Sequence, residues 1–347
     1  MKSEFRPTSP EDAPAASAFL QRIFGLDPSA PLVDPRHLHW KCWEPHPDWP
    51  GSRGYVMTRD SSIVAHGTVV PLSCVCGETR LKVIHVIDWA ADSRAVGSGA
   101  ILMKRLGQMA DAVLAVGGSD MTEKVLPSLG FKTCGEVTRF VRPLKPLRRL
   151  AGQTPSVRAG AQLARSIVWS LQSPSFGLRG WTAHRIAPGQ LASTDMRWPR
   201  DTTGVAIFER NADVMAYLLR CPAAPIELFS VRKDGVNRGY FLLAHAPGQV
   251  RIVDFYVDSD DPNSWRALIQ LAVTEAKMNR SAAELVSLGS DPITRQTLLD
   301  CGFHARGSSA LRLLPSKGVA LPSGPVRFQM IDNDAAYLHE NRASYWA

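Results

Sequence analysis

Long apolar runs are missing from this chain. Its longest uninterrupted apolar stretches, such as Ala112–Val116, fall far short of the roughly 18 residues that a membrane-spanning helix requires, which argues against a helical membrane span. An apolar core is also missing from the N-terminal MKSEFRPTSPEDAPAAS, so no secretory signal is read there and a cytoplasmic, reducing location is expected. None of the six cysteines forms a CxxC, and only Cys74 and Cys76 are close in sequence, so buried free thiols are expected and no metal. Acidic residues are absent between Val137 and Thr194, where nine basic ones occur: Arg139, Arg142, Lys145, Arg148, Arg149, Arg158, Arg165, Arg179 and Arg185. With those nine set aside, the remaining 31 of 40 basic residues face 32 acidic ones, so the net charge of +8 belongs to one segment. A nucleic-acid binder, charged across a whole domain face, is disfavoured.

What is present is 347 residues with 45% hydrophobic content, enough for two cores. The basic segment carries Pro143, Pro146 and Pro155, then a predicted helix from Ser156 to Gln172 with Val157, Ala161, Ala164, Ile167, Val168 and Leu171 on one face. It reads as an interdomain helix packed between two bodies, or as a peripheral contact with an anionic membrane or polyanion. The two bodies resemble each other. HLHWKC, an extended segment, VIDWAAD, a helix and GSDMTEKVLPSLGF follow in the first half; MAYLLRC, an extended segment, IVDFYVD, a helix and GSDPITRQTLLDCGF follow in the second. Asp88 and Asp92 align with Asp254 and Asp258 at one offset.

Each copy reads as an α/β unit with a mixed sheet. Hairpins turn at Arg59-Asp60-Ser61-Ser62 and at Lys233-Asp234-Gly235. An apolar strand, Val83–Trp89, precedes a helix over Gly99–Ala110 that should bury Ile101, Leu102, Leu106 and Met109. A strand over Asp111–Val116 and a helix over Thr122–Leu129 follow. Between the first strand and its helix lies Arg94-Ala95-Val96-Gly97-Ser98-Gly99, where two glycines let backbone N–H groups approach a diphosphate while the helix N-terminus supplies partial positive charge.

The first half resembles the GNAT superfamily of acyl-CoA N-acyltransferases. Arg94, Gly97 and Gly99 match its R/Q-x-x-G-x-G/A fingerprint, and Leu129-Gly130-Phe131 its late ending. The resemblance implies two GNAT-like acyltransferase domains in tandem: 1–146 binding acyl-CoA, 147–195 a basic helical linker, 196–316 a degenerate copy, and 317–347 a C-terminal tail. It also implies acetyl-CoA or another acyl-CoA as co-substrate, with pantetheine along Trp89, Ala90 and Ala91 and the diphosphate on Arg94, Ala95, Val96, Gly97, Ser98, Gly99 and Ala100. The acceptor would be a small amine, such as a polar amine or an amino sugar.

Several positions depart from the family pattern. Ala91 replaces a proline, Ser119 an asparagine, and Leu126 the tyrosine that would protonate the leaving thiolate; leucine has no proton to give. The second copy has Ser259-Asp260-Asp261-Pro262-Asn263-Ser264-Trp265 in place of the glycine loop, with carboxylates that would repel a diphosphate. Asp88, in an apolar strand, is a candidate base with a raised pKa, although Asp254 at the same place suggests a shared structural bond. His85 and His66 are the other candidate bases. His37, His39, Cys42 and His46 lie among Trp40, Trp43 and Trp49, which favours packing over zinc, with these aromatics expected to line the acceptor cleft. Alternatives to the enzyme are a non-catalytic binding protein with this fold and a Fem-type aminoacyl transferase.

Overall fold

The computed structural model describes residues 3–150, 157–171, 174, 176–200, 204–339 and 345–346. The first copy runs β1 (Ser3–Pro7), α1 (Ala13–Phe24), α2 (Pro35–Cys42), β2 (Gly54–Arg59), β3 (Ser62–Cys76), β4 (Thr79–Ala91), α3 (Ser98–Leu106), β5 (Ala112–Val116), α4 (Asp120–Ser128) and β6 (Lys132–Pro143). After α5 (Val157–Leu171), the second copy runs β7 (Trp181–Ile186), β8 (Ala206–Phe208), α6 (Ala212–Leu218), β9 (Ile226–Lys233), β10 (Val236–Ala246), β11 (Gln249–Val257), α7 (Pro262–Met278), β12 (Glu284–Gly289), α8 (Pro292–Asp300) and β13 (His304–Pro315), with β14 (Val326–Arg327) behind it. Except for α1 and β8, each element from β1 to β6 has a counterpart between β7 and β13. The second copy therefore begins at Trp181, within the segment read as linker, because β7 pairs with β9 as β1 pairs with β2.

Local chemistry accounts for the repeated hairpins. Asp60 and Ser61 have φ of +47° and +67°, and Asp234 and Gly235 have +50° and +81°. Two successive left-handed residues make the tight turn whose twist matches that of the flanking strands. Helix α3 buries Leu102, Met103 and Leu106 against the sheet, while Ile101 is half exposed. Leu102 and Leu106 are thus buried as expected and Met109 is half-buried, while Met103 takes the inward place expected of Ile101.

The last strands of the two copies are exchanged. The strand order is β1-β2-β3-β4-β5-β13-β6-β12-β11-β10-β9-β7, so one sheet runs through both copies. Strand β13 pairs with β5 from Leu311↔Val116 to Pro315↔Ala112, and β6 pairs with β12 from Glu284↔Pro143 to Gly289↔Thr138. The exchanged strands also pair with each other. A second seam joins the helices, where the ring of Trp40 on α2 stacks on Tyr217 of α6 at 4.8 Å and donates from Nε1 to the Tyr217 carbonyl at 3.2 Å. Arg53 clasps this seam, donating to the Trp40 carbonyl at 2.7 Å and to the Tyr217 hydroxyl at 3.0 Å. Trp40 and Trp49 are therefore core residues, which corrects the expectation that these aromatics line a cleft.

The exchange makes the halves interdependent. In a fragment of residues 1–146, β6 would lose both neighbouring strands and β5 would present a bare apolar edge. Urea unfolding of that fragment, followed by circular dichroism, should lack the cooperative transition of the full chain.

Candidate functional site

Strands β4 and β5 run parallel only over Val83↔Ala112, Ile84↔Val113 and His85↔Leu114. Beyond His85 they part, leaving one edge of β4 unpaired from Val86 to Ala91 while β3 holds the other edge. The gap opens into a cavity of about 550 Å³ lined by Val86–Trp89 on one side and Ala115–Ser119 on the other. Phe24, Leu26, Leu32, Met103 and Leu126 give it an apolar wall, and Asn333 and Asp334 close it. Leu126 is fully buried there, so the place of the family tyrosine holds no proton donor. A bare strand edge beside a cavity can hold an extended, amide-bearing ligand by strand addition.

The glycine loop begins where that edge ends. Gly97 has φ of +83°, and a Cβ built on it would meet nothing within 4 Å, so it faces open space in a conformation that favours glycine. Gly99 also serves packing: its added Cβ would lie 3.0 Å from Ala91 Cβ and 3.4 Å from Trp89 Nε1. Trp89 Nε1 donates to the Gly99 carbonyl at 3.1 Å, which ties α3 to the rim of the cavity. Arg94 folds back on Asp92, donating to it from N, Nε and Nη2 at 3.0, 3.0 and 2.7 Å, and Arg22 reaches the same carboxylate at 2.8 Å. Its charge therefore shapes the loop. Ala90, Ala95 and Ser98 are buried, whereas Ala91 and Val96 are exposed and Ala100 is partly so. No side chain caps α3, leaving first-turn amides to meet an anion.

The second copy repeats the parting but not the cradle. Its α7 begins with Asp261, whose carboxylate accepts from Asn263 N at 3.0 Å, with Pro262 in the first turn. The helix N-terminus is therefore already occupied by a negative charge. Asp258 and Asp260 line the adjoining cleft of about 740 Å³, together with Arg200 and Arg327.

Between the two clefts runs a strap, residues 326–339, within the segment expected to be a C-terminal tail. It is anchored by β14, which pairs with β8, which in turn pairs with β3. Two of its aspartates complete matching trios of one cation and two carboxylates. In the second copy Arg210 donates to Asp254 at 2.8 Å and to Asp332 at 2.6 Å, and the Tyr240 hydroxyl donates to Asp254 at 2.9 Å. In the first copy Lys41 on α2 makes a close, fully buried ion pair with Asp88, Thr68 donates to Asp88 at 3.2 Å, and Asp334 lies within their field. Burial, then the Asp88 charge, pushes the Asp334 carboxyl up to about 7; burial opposed by Arg210 puts Asp332 at about 6. The trios differ in access: the second meets a recess of about 10 Å³, whereas Asp88 and Asp334 line the 550 Å³ cavity.

No protein-family model matches the chain, and no curated protein matches it by sequence. Solved structures do. An Enterococcus faecalis protein described as a probable N-acyltransferase superposes with TM-score 0.58 at 10% identity, covering 91% of this chain and 72% of that one. Saccharomyces cerevisiae N-myristoyltransferase with bound myristoyl-CoA gives 0.58 at 13% identity, covering 90% and 82%. A GCN5-related N-acetyltransferase from Anabaena variabilis gives 0.57 at 12%, covering 90% and 72%. The fold is that of the GNAT acyltransferases. It is a mixed α/β fold, and this chain carries it in tandem, as the paired element series shows.

Within this GNAT fold the three candidate bases separate. Asp88 lines the cavity; burial, the largest single influence, would raise its pKa, but the Lys41 charge and hydrogen bond, with the nearby imidazoles, together hold it low, opposite to the expected direction. Its φ of +51° in mid-strand is a strained conformation, placed where the β3–β4 register shifts. His85 lines the cavity with Nδ1 donating to the Asp332 carbonyl at 2.7 Å, which leaves Nε2 unprotonated; burial lowers its pKa to about 4. His66 is buried behind β4, does not line the cavity, and is likewise held at about 4 by burial. The residues at this candidate site that the sequence did not point to are Lys41 and Asp334. MAYLLRC aligned with HLHWKC could have drawn attention to α2, but nothing in MIDNDAAY marks the strap.

Breaking a buried pair costs more than replacing it whole. Lys41→Met should destabilise the protein by roughly 3–5 kcal/mol. Lys41→Met with Asp88→Asn should recover most of that loss in urea titrations at pH 5, where Asp334, its pKa pushed up to about 7 by burial, is neutral and no buried charge is left unpaired.

Proposed function

We propose that this protein is an acyl-CoA-dependent N-acyltransferase with one acyl-CoA site, in the first copy. The observation that carries the reading is the coincidence, in that copy alone, of a bare β4 edge, an uncapped glycine-started helix and a cavity bearing a carboxylate. The residues fit the co-substrate: Val86–Ala91 offers backbone groups to pantetheine, and Gly97 with the first turn of α3 offers space and amides to the diphosphate. The apolar wall suits the acyl chain, acetyl or longer.

Asp334 is the base in this account. It takes a proton from the acceptor amine as the nitrogen attacks the thioester carbonyl; the amide forms, the carbon–sulfur bond breaks, and sulfur leaves as thiolate. A thiol with a pKa of about 8.5 can leave without a dedicated acid, which makes Leu126 tolerable. Asp88, fixed by Lys41, contributes the negative field that keeps Asp334 basic. The acceptor would enter from a recess of about 280 Å³ that shares Gly117, Gly118 and Asn333 with the cavity and is lined by Arg139, Arg306, Ser308 and Ser309. Two arginines there favour a small polar amine that also carries an anionic group. Six free cysteines suit the reducing cytoplasm as the place of reaction.

The test is thiol release from acetyl-CoA and longer acyl-CoAs over an amine panel as a function of pH. A base with pKa about 7 works deprotonated, so kcat/KM should rise through pH 7 and level off above it. Asp334→Asn should lower kcat by roughly 10²–10⁴-fold and flatten that rise, with acyl-CoA affinity kept. Wild-type rate and pH profile in the variant would remove Asp334 from the role; acyl-CoA binding without turnover on any amine would favour the binding-protein reading.

A further inference from the structure

Helix α5 is turned inside out. Val157, Ala161, Ala164, Ile167, Val168 and Leu171, with Gly160 among them, are all exposed, at the spacing of one continuous helical stripe. Val157 is 93% and Leu171 81% exposed. The face turned inward is polar and aromatic: Ser166 is buried and accepts from Arg149 Nη1 at 2.8 Å, and Trp169 stacks on His304 at 3.8 Å. The expectation that the apolar face packs between the two bodies is thus reversed. Ser156 and Gln172, its predicted ends, lie outside the described residues.

We propose that α5 docks this protein peripherally on an anionic membrane surface. Charge selects that occupant. The stripe lies in a segment with no acidic residue from Val137 to Thr194. Leu147, 67% exposed, and Arg148 extend the surface beside α5, and Arg179 is exposed beyond it. Under the helix, Arg165 lies over the Trp169 ring at 5.1 Å with Nε and Nη2 unpartnered, and the neighbouring charges of Arg306 and Arg149 lower its pKa further after burial. A positive field around an exposed apolar stripe attracts anionic headgroups while the stripe enters the acyl boundary. A second copy of the chain is a poorer occupant. It would bring the same cations onto themselves, and a 15-residue helix about 22 Å long and 10 Å wide offers a stripe of roughly 220 Å², against about 800 Å² per partner in a stable interface.

Flotation of the full-length protein with vesicles tests the proposal, using phosphatidylcholine alone and an equimolar mixture with phosphatidylglycerol. The protein should float with the mixed vesicles, not with phosphatidylcholine, and high salt should weaken the association. Val168→Glu with Leu171→Glu, both at exposed positions, should reduce vesicle affinity by about tenfold or more, with unfolding and acyl-CoA binding unchanged. Failure to float with either vesicle, or undiminished flotation of the double variant, would overturn the proposal. So would a dimer in light scattering that the double variant abolishes, or binding to a soluble polyanion without binding to the mixed vesicles.

Discussion

Everything around the candidate site depends on one arrangement, in which two buried cations each face two carboxylates across a single strap. Lys41 holds Asp88 and Arg210 holds Asp254, each aspartate on the strand that parts from its neighbour, and the strap adds Asp334 to one trio and Asp332 to the other. One cation cannot fully compensate two carboxylates, so the second carboxylate of each trio has its pKa raised by burial and by its neighbour. In the closed trio the Tyr240 hydroxyl adds a further hydrogen bond to Asp254. In the open one the raised carboxyl of Asp334 stands on the wall of a cavity, where we propose that it accepts the proton.

The exchange of β6 and β13 is what brings the strap there. Because β13 belongs beside β5, the chain leaves it on the first copy's side of the sheet, returns through β14 to pair with β8, and then crosses both clefts. A tandem protein with separately closed copies would have no such route. The second copy, with α7 capped by Asp261 in place of a phosphate cradle, still contributes to the site, since its β13 lines the adjoining recess and its β8 anchors the strap.

The repeat, the hairpin turns and the glycine loop were legible because local chemistry dictates them: alternation, left-handed turn residues, and glycines at a strand-to-helix junction. Gly97 was readable for that reason, while the close packing of Gly99 against Ala91 and Trp89 was not. The exchange was not legible, because β6 and β13 follow equivalent Gly-Phe pairs and either could pair with either sheet. Asp334 was not legible either. Its carboxyl is raised first by burial and then by Asp88, some 250 residues away in sequence, and no local pattern records either. The face of α5 was read correctly as apolar, but its direction depends on tertiary contacts of Ser166 and Trp169.

The central claim is that the first copy alone holds acyl-CoA. Saturation calorimetry with acetyl-CoA and a longer acyl-CoA, joined to photolabelling by a crosslinkable analogue, tests it most directly. The account predicts one equivalent per chain, with label on Trp89–Ala100 and on residues 116–119. Two equivalents, or label between Asp258 and Trp265, would contradict it.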